Sequence, residues 1–323
     1  MSLLQVKNLV VEFPNRRGTL RALDDISFGI APGEILGVVG ESGAGKSLTG
    51  AAIIGLLEPP GRIASGQILL EGQRIDNLPY EQMRHIRGRQ IGAIFQDPLT
   101  SLNPLYSIGK QLTETIQAHL PVNDAEARKR AIALLEDTGI PAAAERIDHY
   151  PHQFSGGQRA RIGIARALAV KPNFLVCDEA VAALDVSIQA QVLNLFIKLR
   201  EELDLTYLFI SHDLGVVRHL SDRVVIMYLG RVVETAPADE LFTSPNHPYT
   251  QGLLAEVPSL TVRKKDFVAI KGEIPSPLNP PTGCHFHPRC PHAASVPGNK
   301  CRTEQPMLKQ IAVNRSSACH LNL

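Results

Sequence analysis

This sequence predicts an α/β fold with a helical insert, and three features predict it. The first is a wholly apolar run, Ile35 to Val39, followed at once by glycine-rich sequence and then by a helix-like stretch from Lys46 to Leu57. The second is a later alternation of strand-like Phe174 to Cys177, helix-like Ile188 to Leu203, and strand-like Tyr207 to Ile210 and Val224 to Met227. The third lies between them. From about Asn103 to Arg166 the chain reads as mostly helical, with amphipathic pieces at Glu114 to His119 and Ala125 to Thr138. Short, wholly apolar runs are what strands covered on both faces of a parallel sheet require. Strands alternating with helices then give a layered α/β architecture.

The remaining segments fit around this frame. Leu3 to Phe13 alternates in a strand-like way, and Leu20 to Ile30 follows as a second β segment ending at the Ala31-Pro32-Gly33 turn. Further β-type segments run through Gln67 to Leu70 and Ile91 to Phe95. Composition shifts after about Pro258. Gly272 to Pro288 is dense in Pro and Gly and poor in apolar residues, so residues 259–323 read as a loop-rich appendix to a main domain over 1–258.

Bulk composition excludes several classes. The chain has 323 residues, 44% hydrophobic and 20% charged, with a net charge of +1. That near-neutral charge supplies no field for nucleic acid, so no nucleic-acid partner is expected. The N-terminal MSLLQVKNLVVEF lacks the pattern of a signal peptide, and no window approaches the ~18 apolar residues of a bilayer span. The expected location is the cytoplasm, with any membrane role exercised through partner proteins.

The glycine-rich segment Gly40-Glu41-Ser42-Gly43-Ala44-Gly45-Lys46-Ser47 fits G-x-x-x-x-G-K-[ST] in the strand–loop–helix context that motif needs. Its glycines let backbone N–H groups converge on phosphate oxygens, and the helix N-terminus adds its dipole. Lys46 is placed to reach the β- and γ-phosphates of ATP, and Ser47 to offer a hydroxyl to Mg²⁺. An acid for Mg²⁺ belongs at the end of a neighbouring apolar strand. Asp178 and Glu179, after Phe174-Leu175-Val176-Cys177, supply the metal acid and a general base for the attacking water.

A second anion element is Ser155-Gly156-Gly157-Gln158, where a hydroxyl, two glycine amides and a helix N-terminus coincide. With Phe154 it resembles the signature of ABC-type ATPases. The resemblance covers roughly Leu3 to Leu260, with every motif in order. It implies a P-loop NTPase core of ABC type with an antiparallel β subdomain, a helical subdomain insert over about 103–166 and a loop-rich Cys tail. It also implies a head-to-tail dimer in which the signature of one subunit covers the phosphates held by the other. Gly40, Ser42, Gly43, Gly45, Lys46, Ser47 and Leu48 then bind phosphate, Phe13 stacks on adenine, and Asp185 lies in the D-loop Ala183-Leu184-Asp185. Gln96 is the Q-loop residue that reaches Mg²⁺ and water, and His212 is the switch histidine at the γ-phosphate.

Phe95-Gln96-Asp97-Pro98-Leu99-Thr100-Ser101-Leu102-Asn103-Pro104 and Asn246-His247-Pro248-Tyr249-Thr250 resemble segments of the dipeptide, oligopeptide and nickel importer group. Two departures stand out. Ala180 occupies the position after Glu179 where the family usually has Pro, which frees a backbone N–H and relaxes φ. Ala44 stands where Ser is common, in a loop that works through its backbone.

Cys284, Cys290, Cys301 and Cys319 crowd the tail, separated by five, ten and seventeen residues. Four thiolates can hold Zn²⁺ or a [4Fe–4S] cluster, or they can be ordinary thiols. The tight C-x₂-C knuckles of zinc sites are absent, and the importer resemblance implies the iron–sulfur cluster. His285, His287, His292 and His320 nearby read as surface residues.

The function these readings imply is ATP hydrolysis energising an importer for peptides or a related small solute. The implied partners are a second ATPase subunit, with a related chain favoured over an identical copy, two membrane permeases and, indirectly, an extracytoplasmic solute-binding protein. The implied location is the cytoplasmic face of the bacterial inner membrane. A non-transport ABC ATPase is the competing reading, and the neutral charge and the Cys-rich tail stand against it.

Overall fold

The structure is a computed structural model that describes residues 2–16, 18–96, 101–256 and 270–322. The expected boundary near Pro258 and the Asp97 to Thr100 part of the Q-loop segment lie outside the described residues. In chain order the strands are β1 (Leu4–Asn15), β2 (Gly18–Ile30), β3 (Ile35–Val39), β4 (Arg62–Leu70), β5 (Gln73–Arg74), β6 (Ile91–Ile94), β7 (Phe174–Asp178), β8 (Thr206–Ile210), β9 (Arg223–Tyr228), β10 (Arg231–Pro237), β11 (Lys309–Ala312) and β12 (Arg315–Ser317). They fall into two compact units, one holding Ala31–Glu34 and Asn77–Ile210, the other Ser2–Ile30, Ile35–Asp76 and Ser211–Leu323.

In the first unit β6, β7 and β8 run parallel, with Cys177 opposite both Ile94 and Phe209. All five residues of β8 and the first four of β7 are buried, as parallel strands covered on both faces should be. Helices Ile108–His119, Asp124–Asp137 and Gly156–Ala167 share a separate core built on Leu112, Ile116, Leu135, Phe154 and Ile162. Of the two helical pieces expected from amphipathic spacing, Glu114 to His119 lies inside the first of these helices, and Ala125 to Thr138 matches the second up to its C-cap, Thr138. Side chains fix where each begins: Ser107 Oγ accepts from Lys110 N–H, and Asn123 Oδ1 from Glu126 N–H.

In the second unit β2, β1, β4 and β5 form an antiparallel sheet in that order. β3 pairs in parallel with β9, and β10 joins β9 antiparallel. The appendix is more ordered than its composition predicts, because it borrows structure from the rest of the unit. β12 pairs with β10, setting Ser317 opposite Glu234, and β11 pairs with β12. Phe286 is buried among Tyr228, Tyr249, Leu241 and Leu253, with Cys284 and Cys290 packed against the same cluster. One aromatic side chain thereby anchors a segment too poor in apolar residues to make a core of its own.

Candidate functional site

The phosphate loop belongs to the second unit, and crowding dictates its glycines. A Cβ on Gly40 would lie 2.2 Å from the Met227 carbonyl oxygen, so no side chain fits. Gly43 and Gly45 have φ of 79° and 98°, in the left-handed region that favours glycine. Gly45 leads directly into the helix Lys46–Ile53. Lys46 is buried, and its Nζ donates to the carbonyls of Gly40 at 2.8 Å and Glu41 at 3.1 Å. Ser42, Gly43 and Ser47 are exposed and Leu48 is half-buried, so the face that can receive phosphate is polar and open.

The loop is also held from far along the chain. Glu41 N–H donates to Tyr249 Oη at 2.9 Å, and both carboxylate oxygens of Glu41 accept from Arg289, at 2.7 and 2.9 Å. Tyr249 is set in turn by the segment Asn246 to Thr250. The fully buried Glu234 carboxylate accepts the N–H groups of Asn246 and His247, each at 2.8 Å. His247 Nδ1 caps the next helix by accepting from Tyr249 N–H. Burial pushes the His247 imidazole down to about 4, which keeps it neutral and able to accept. Sequence reading marked Asn246 to Thr250 as a resemblance only and missed Glu234, Tyr249 and Arg289 as neighbours of the loop.

The remaining expected residues of this unit are placed as follows. Phe13, opposite Leu20 in the β1–β2 ladder, is half-buried, and its ring edge would lie 2.5 Å from a Cβ on Gly61. His212 is exposed, between Ser211, whose N–H donates to Val38 O, and Asp213, which caps the helix Leu214–Leu220.

In the first unit β7 ends at Asp178, which is half-buried. Glu179 follows with φ of 47°, its N–H bonded to Ile210 O at 2.9 Å. A non-glycine residue in that conformation is uncommon and aims the side chain away from the strand direction. Its Oε2 accepts from Gln96 Nε2 at 2.8 Å, so two of the expected residues, 83 positions apart, are in contact. Ala180 and Val181 are buried, which anchors the stretch without the usual proline.

The signature element is capped within its own residues, and Arg146 Nη2 also donates to Gln158 Oε1 at 3.4 Å. Ser155 caps the helix Gly156–Ala167 through a reciprocal box, its Oγ accepting from Gln158 N–H and Gln158 Oε1 accepting from Ser155 N–H. A Cβ on Gly157 would lie 2.4 Å from Ile188 Cγ2, whereas one on Gly156 would meet nothing nearer than 3.9 Å. Gly156 is therefore a glycine that packing inside this unit does not require. Asp185 stands at the N-cap of Val186–Leu203, yet its side chain makes no capping bond and is exposed.

The four tail cysteines are not gathered into a metal-ligand set. Among the described residues no group of three or more His, Cys, Asp or Glu side chains is arranged to hold a metal ion. The thiols share one neighbourhood all the same. Burial first, then the nearby Cys301, Cys319 and Cys290, push the Cys284 thiol up to about 12, and burial also raises Cys290 and Cys301. Of the histidines read as surface residues, His292 is exposed, but His285, His287 and His320 are half-buried, because the appendix packs on the unit. His287 Nδ1 lies 2.9 Å from Cys284 O, and His320 Nε2 lies 2.9 Å from Glu304 O.

A phosphate loop after a buried parallel strand, an Asp-Glu strand end and a capped Ser-Gly-Gly helix define a nucleotide-binding cassette. Residues 23–182 match the ABC transporter domain, and residues 233–296 match the oligopeptide/dipeptide transporter C-terminal region. The chain is 42% identical to the dipeptide transport ATP-binding protein DppD of Escherichia coli, over 100% of this chain and 98% of that one. It is 48% identical to the oligopeptide transport ATP-binding protein AppF of Bacillus subtilis, over 96% of this chain and 92% of the relative. Among solved structures, a dimeric post-hydrolysis state of the ATP-binding cassette MJ0796 bound to ADP and Pi is similar. The TM-score is 0.65 at 27% identity, over 73% of this chain and 98% of that one. The chain belongs to the ABC transporter family, alongside the ATP-binding proteins of dipeptide and oligopeptide transport.

Proposed function

We propose that this chain is the ATP-binding and ATP-hydrolysing subunit of an importer for peptides or a related small solute. The observation that carries hydrolysis is the Glu179 carboxylate, set at the end of β7 and held by Gln96. The similarity to DppD runs the full length of the chain and supports the importer reading. Lys46 and the loop amides bind the β- and γ-phosphates, Phe13 packs on adenine, and His212 contacts the γ-phosphate. Ser47, Gln96 and Asp178 carry the hard oxygen donors that Mg²⁺ prefers, and the ion neutralises phosphate charge when bound. Glu179 takes the proton of the attacking water.

Ser155 to Gln158 and Asp185 act on the nucleotide of a second, related subunit. The open face at Gly156 and the uncapped Asp185 carboxylate support that reading. In the closed dimer each nucleotide is bound twice, and this differential affinity drives the conformational switch. Among the described residues no helix is long and apolar enough to cross a membrane. The chain then acts peripherally, at the cytoplasmic face of the inner membrane, on two permease subunits served by an extracytoplasmic binding protein. In this reading the ATPase domain spans 1–258, with a helical subdomain over about 103–166, and the cysteine appendix spans 259–323.

For the appendix we infer an iron–sulfur cluster rather than zinc. That reading rests on the crowding of four cysteines in the tail and on the match of residues 233–296, which include Cys284 and Cys290, to the oligopeptide/dipeptide transporter C-terminal region. The cluster's role is to staple the segment. Iron and sulfide analysis of anaerobically purified protein, with zinc as the other outcome, decides this point.

The deciding experiment for the function is Glu179→Gln. The variant is expected to bind ATP, to accumulate as the closed dimer and to release no phosphate. Phosphate release at the normal rate would remove Glu179 as the base.

A further inference from the structure

Glu41 presents a chemical problem. It is an acid inside the loop whose backbone must receive a triphosphate, and an ionised carboxylate there opposes the ligand. The structure answers it with a residue 248 positions away. Arg289 Nη1 donates to Glu41 Oε2 at 2.7 Å, and Arg289 Nη2 donates to Oε1 at 2.9 Å. This fork-to-fork geometry is the strongest form of such a pair. The Arg289 side chain is 5% exposed and that of Glu41 25%, so solvent screens the pair poorly.

Arg289 is itself firmly placed. The turn bonds His287 N–H to Cys284 O and Arg289 N–H to Phe286 O fix its backbone between the first two tail cysteines. Phe286, the anchor of this turn, has its ring centroid 5.3 Å from those of both Tyr228, met edge-on, and Tyr249, met at a tilt. The guanidinium lies 5.8 Å from the centroid of the Tyr228 ring, within cation–π range. Tyr249 holds the Glu41 N–H, and the Glu41 carbonyl accepts from Lys46. Appendix, acid and phosphate-binding lysine therefore form one connected set within a single unit.

We infer that Arg289 is a positioning residue for nucleotide binding: it neutralises Glu41 and fixes the phosphate loop, which makes the cysteine appendix part of the ATP site's construction. The inference rests on the ATP-binding reading given above. The guanidinium touches neither substrate nor reacting atoms. It acts by cancelling a charge that would repel the phosphates and by holding the Glu41 backbone that Lys46 uses.

The test is a double-mutant cycle on the full-length protein, titrated with the magnesium complex of the non-hydrolysable analogue AMPPNP. Arg289→Met is expected to weaken binding about tenfold or more, the usual scale for directly coupled groups. Raising the salt concentration should recover part of the loss, because the exposed Glu41 charge is then screened. In a Glu41→Gln background the same substitution should cost no more than about twofold, since no charge remains to neutralise. An equal loss in both backgrounds, or no loss in either, overturns the inference. If Arg289→Met does not fold, Arg289→Lys completes the cycle. That variant keeps the charge and loses the fork, so its expected loss is smaller and again confined to the Glu41 background. Wild-type protein that fails to bind AMPPNP would instead remove the ATP reading, an outcome distinct from additive losses in a protein that binds it.

Discussion

Two glycine-rich elements in this chain are proposed to meet phosphate, and they are built in opposite ways. The phosphate loop is held from a distance. Gly40 is pressed against Met227, and Glu41 is fixed by Tyr249 and Arg289. The Ser155 to Gln158 element is held mainly from nearby, through a capping box over its own four residues, with Gly157 packed on Ile188. The difference teaches how a bound nucleotide and a partner surface are served. A loop that wraps phosphate must keep an otherwise strained shape, which takes long-range support. In the role proposed for it, an element that docks on another subunit's nucleotide presents a capped helix end and one open glycine.

The largest expected effect tests the crowding. Gly40→Ala drives a Cβ into a backbone carbonyl that cannot move aside, so the phosphate loop must shift. A stability loss of at least about 3 kcal/mol is expected in urea denaturation, together with loss of nucleotide binding. Gly156→Ala is the contrast. Its methyl meets only Leu184 Cδ2, at an ordinary contact distance of 3.9 Å, so stability should change by less than about 0.5 kcal/mol while ATP turnover falls. Equal stability losses for the two would erase the distinction drawn here.

Acid sharpens the comparison next, because the distant support of the phosphate loop includes a buried neutral imidazole. His247 has an ordinary value of 6.5, lowered by burial to about 4 in the folded chain. The unfolded chain therefore takes up a proton as pH falls through 6.5, whereas the folded chain does so only near 4. Stability is lost on acidification across that window, by up to about 3 kcal/mol. Urea denaturation between pH 7.5 and pH 4 should show a shallower decline for His247→Gln than for the parent. A parallel decline in both would place the acid sensitivity elsewhere.

A loss smaller than that acid effect is expected at the cap of the Ser155 to Gln158 element. Ser155→Ala removes the Oγ acceptor for Gln158 N–H and should cost about 1 kcal/mol. The loss should leave AMPPNP affinity unchanged and appear in ATP turnover.

Much of the candidate site was legible because local rules determine it. The G-x-x-x-x-G-K-[ST] loop, the Asp178-Glu179 strand end and the Ser155 cap all lie within a few residues of the elements that position them. Periodicity and turn chemistry report such features directly. The contact between Gln96 and Glu179 was legible only as two family motifs, since nothing in the spacing of residues 83 apart announces a hydrogen bond. Glu234, Tyr249 and Arg289 were invisible as parts of the phosphate site. A buried acid in β10, a tyrosine after a proline and an arginine beside a cysteine carry no periodic signal. The ordered appendix was missed for a related reason. Its composition is that of a loop, and the core that orders it belongs to β9 and the helix Pro248–Ala255.

The sequence by itself determined the kind of site this protein carries. Glycines, a lysine, paired acids and a capped helix end at short spacing dictate backbone conformations that few alternatives satisfy. Tertiary structure alone decided what holds that site in place. The Arg289–Glu41 pair and the Tyr249 hydroxyl depend on chain closure over more than 200 residues, and the Phe286 anchor on contacts with Tyr228 and Tyr249. Such contacts form only when a buried apolar cluster has brought the segments together, so no local pattern encodes them.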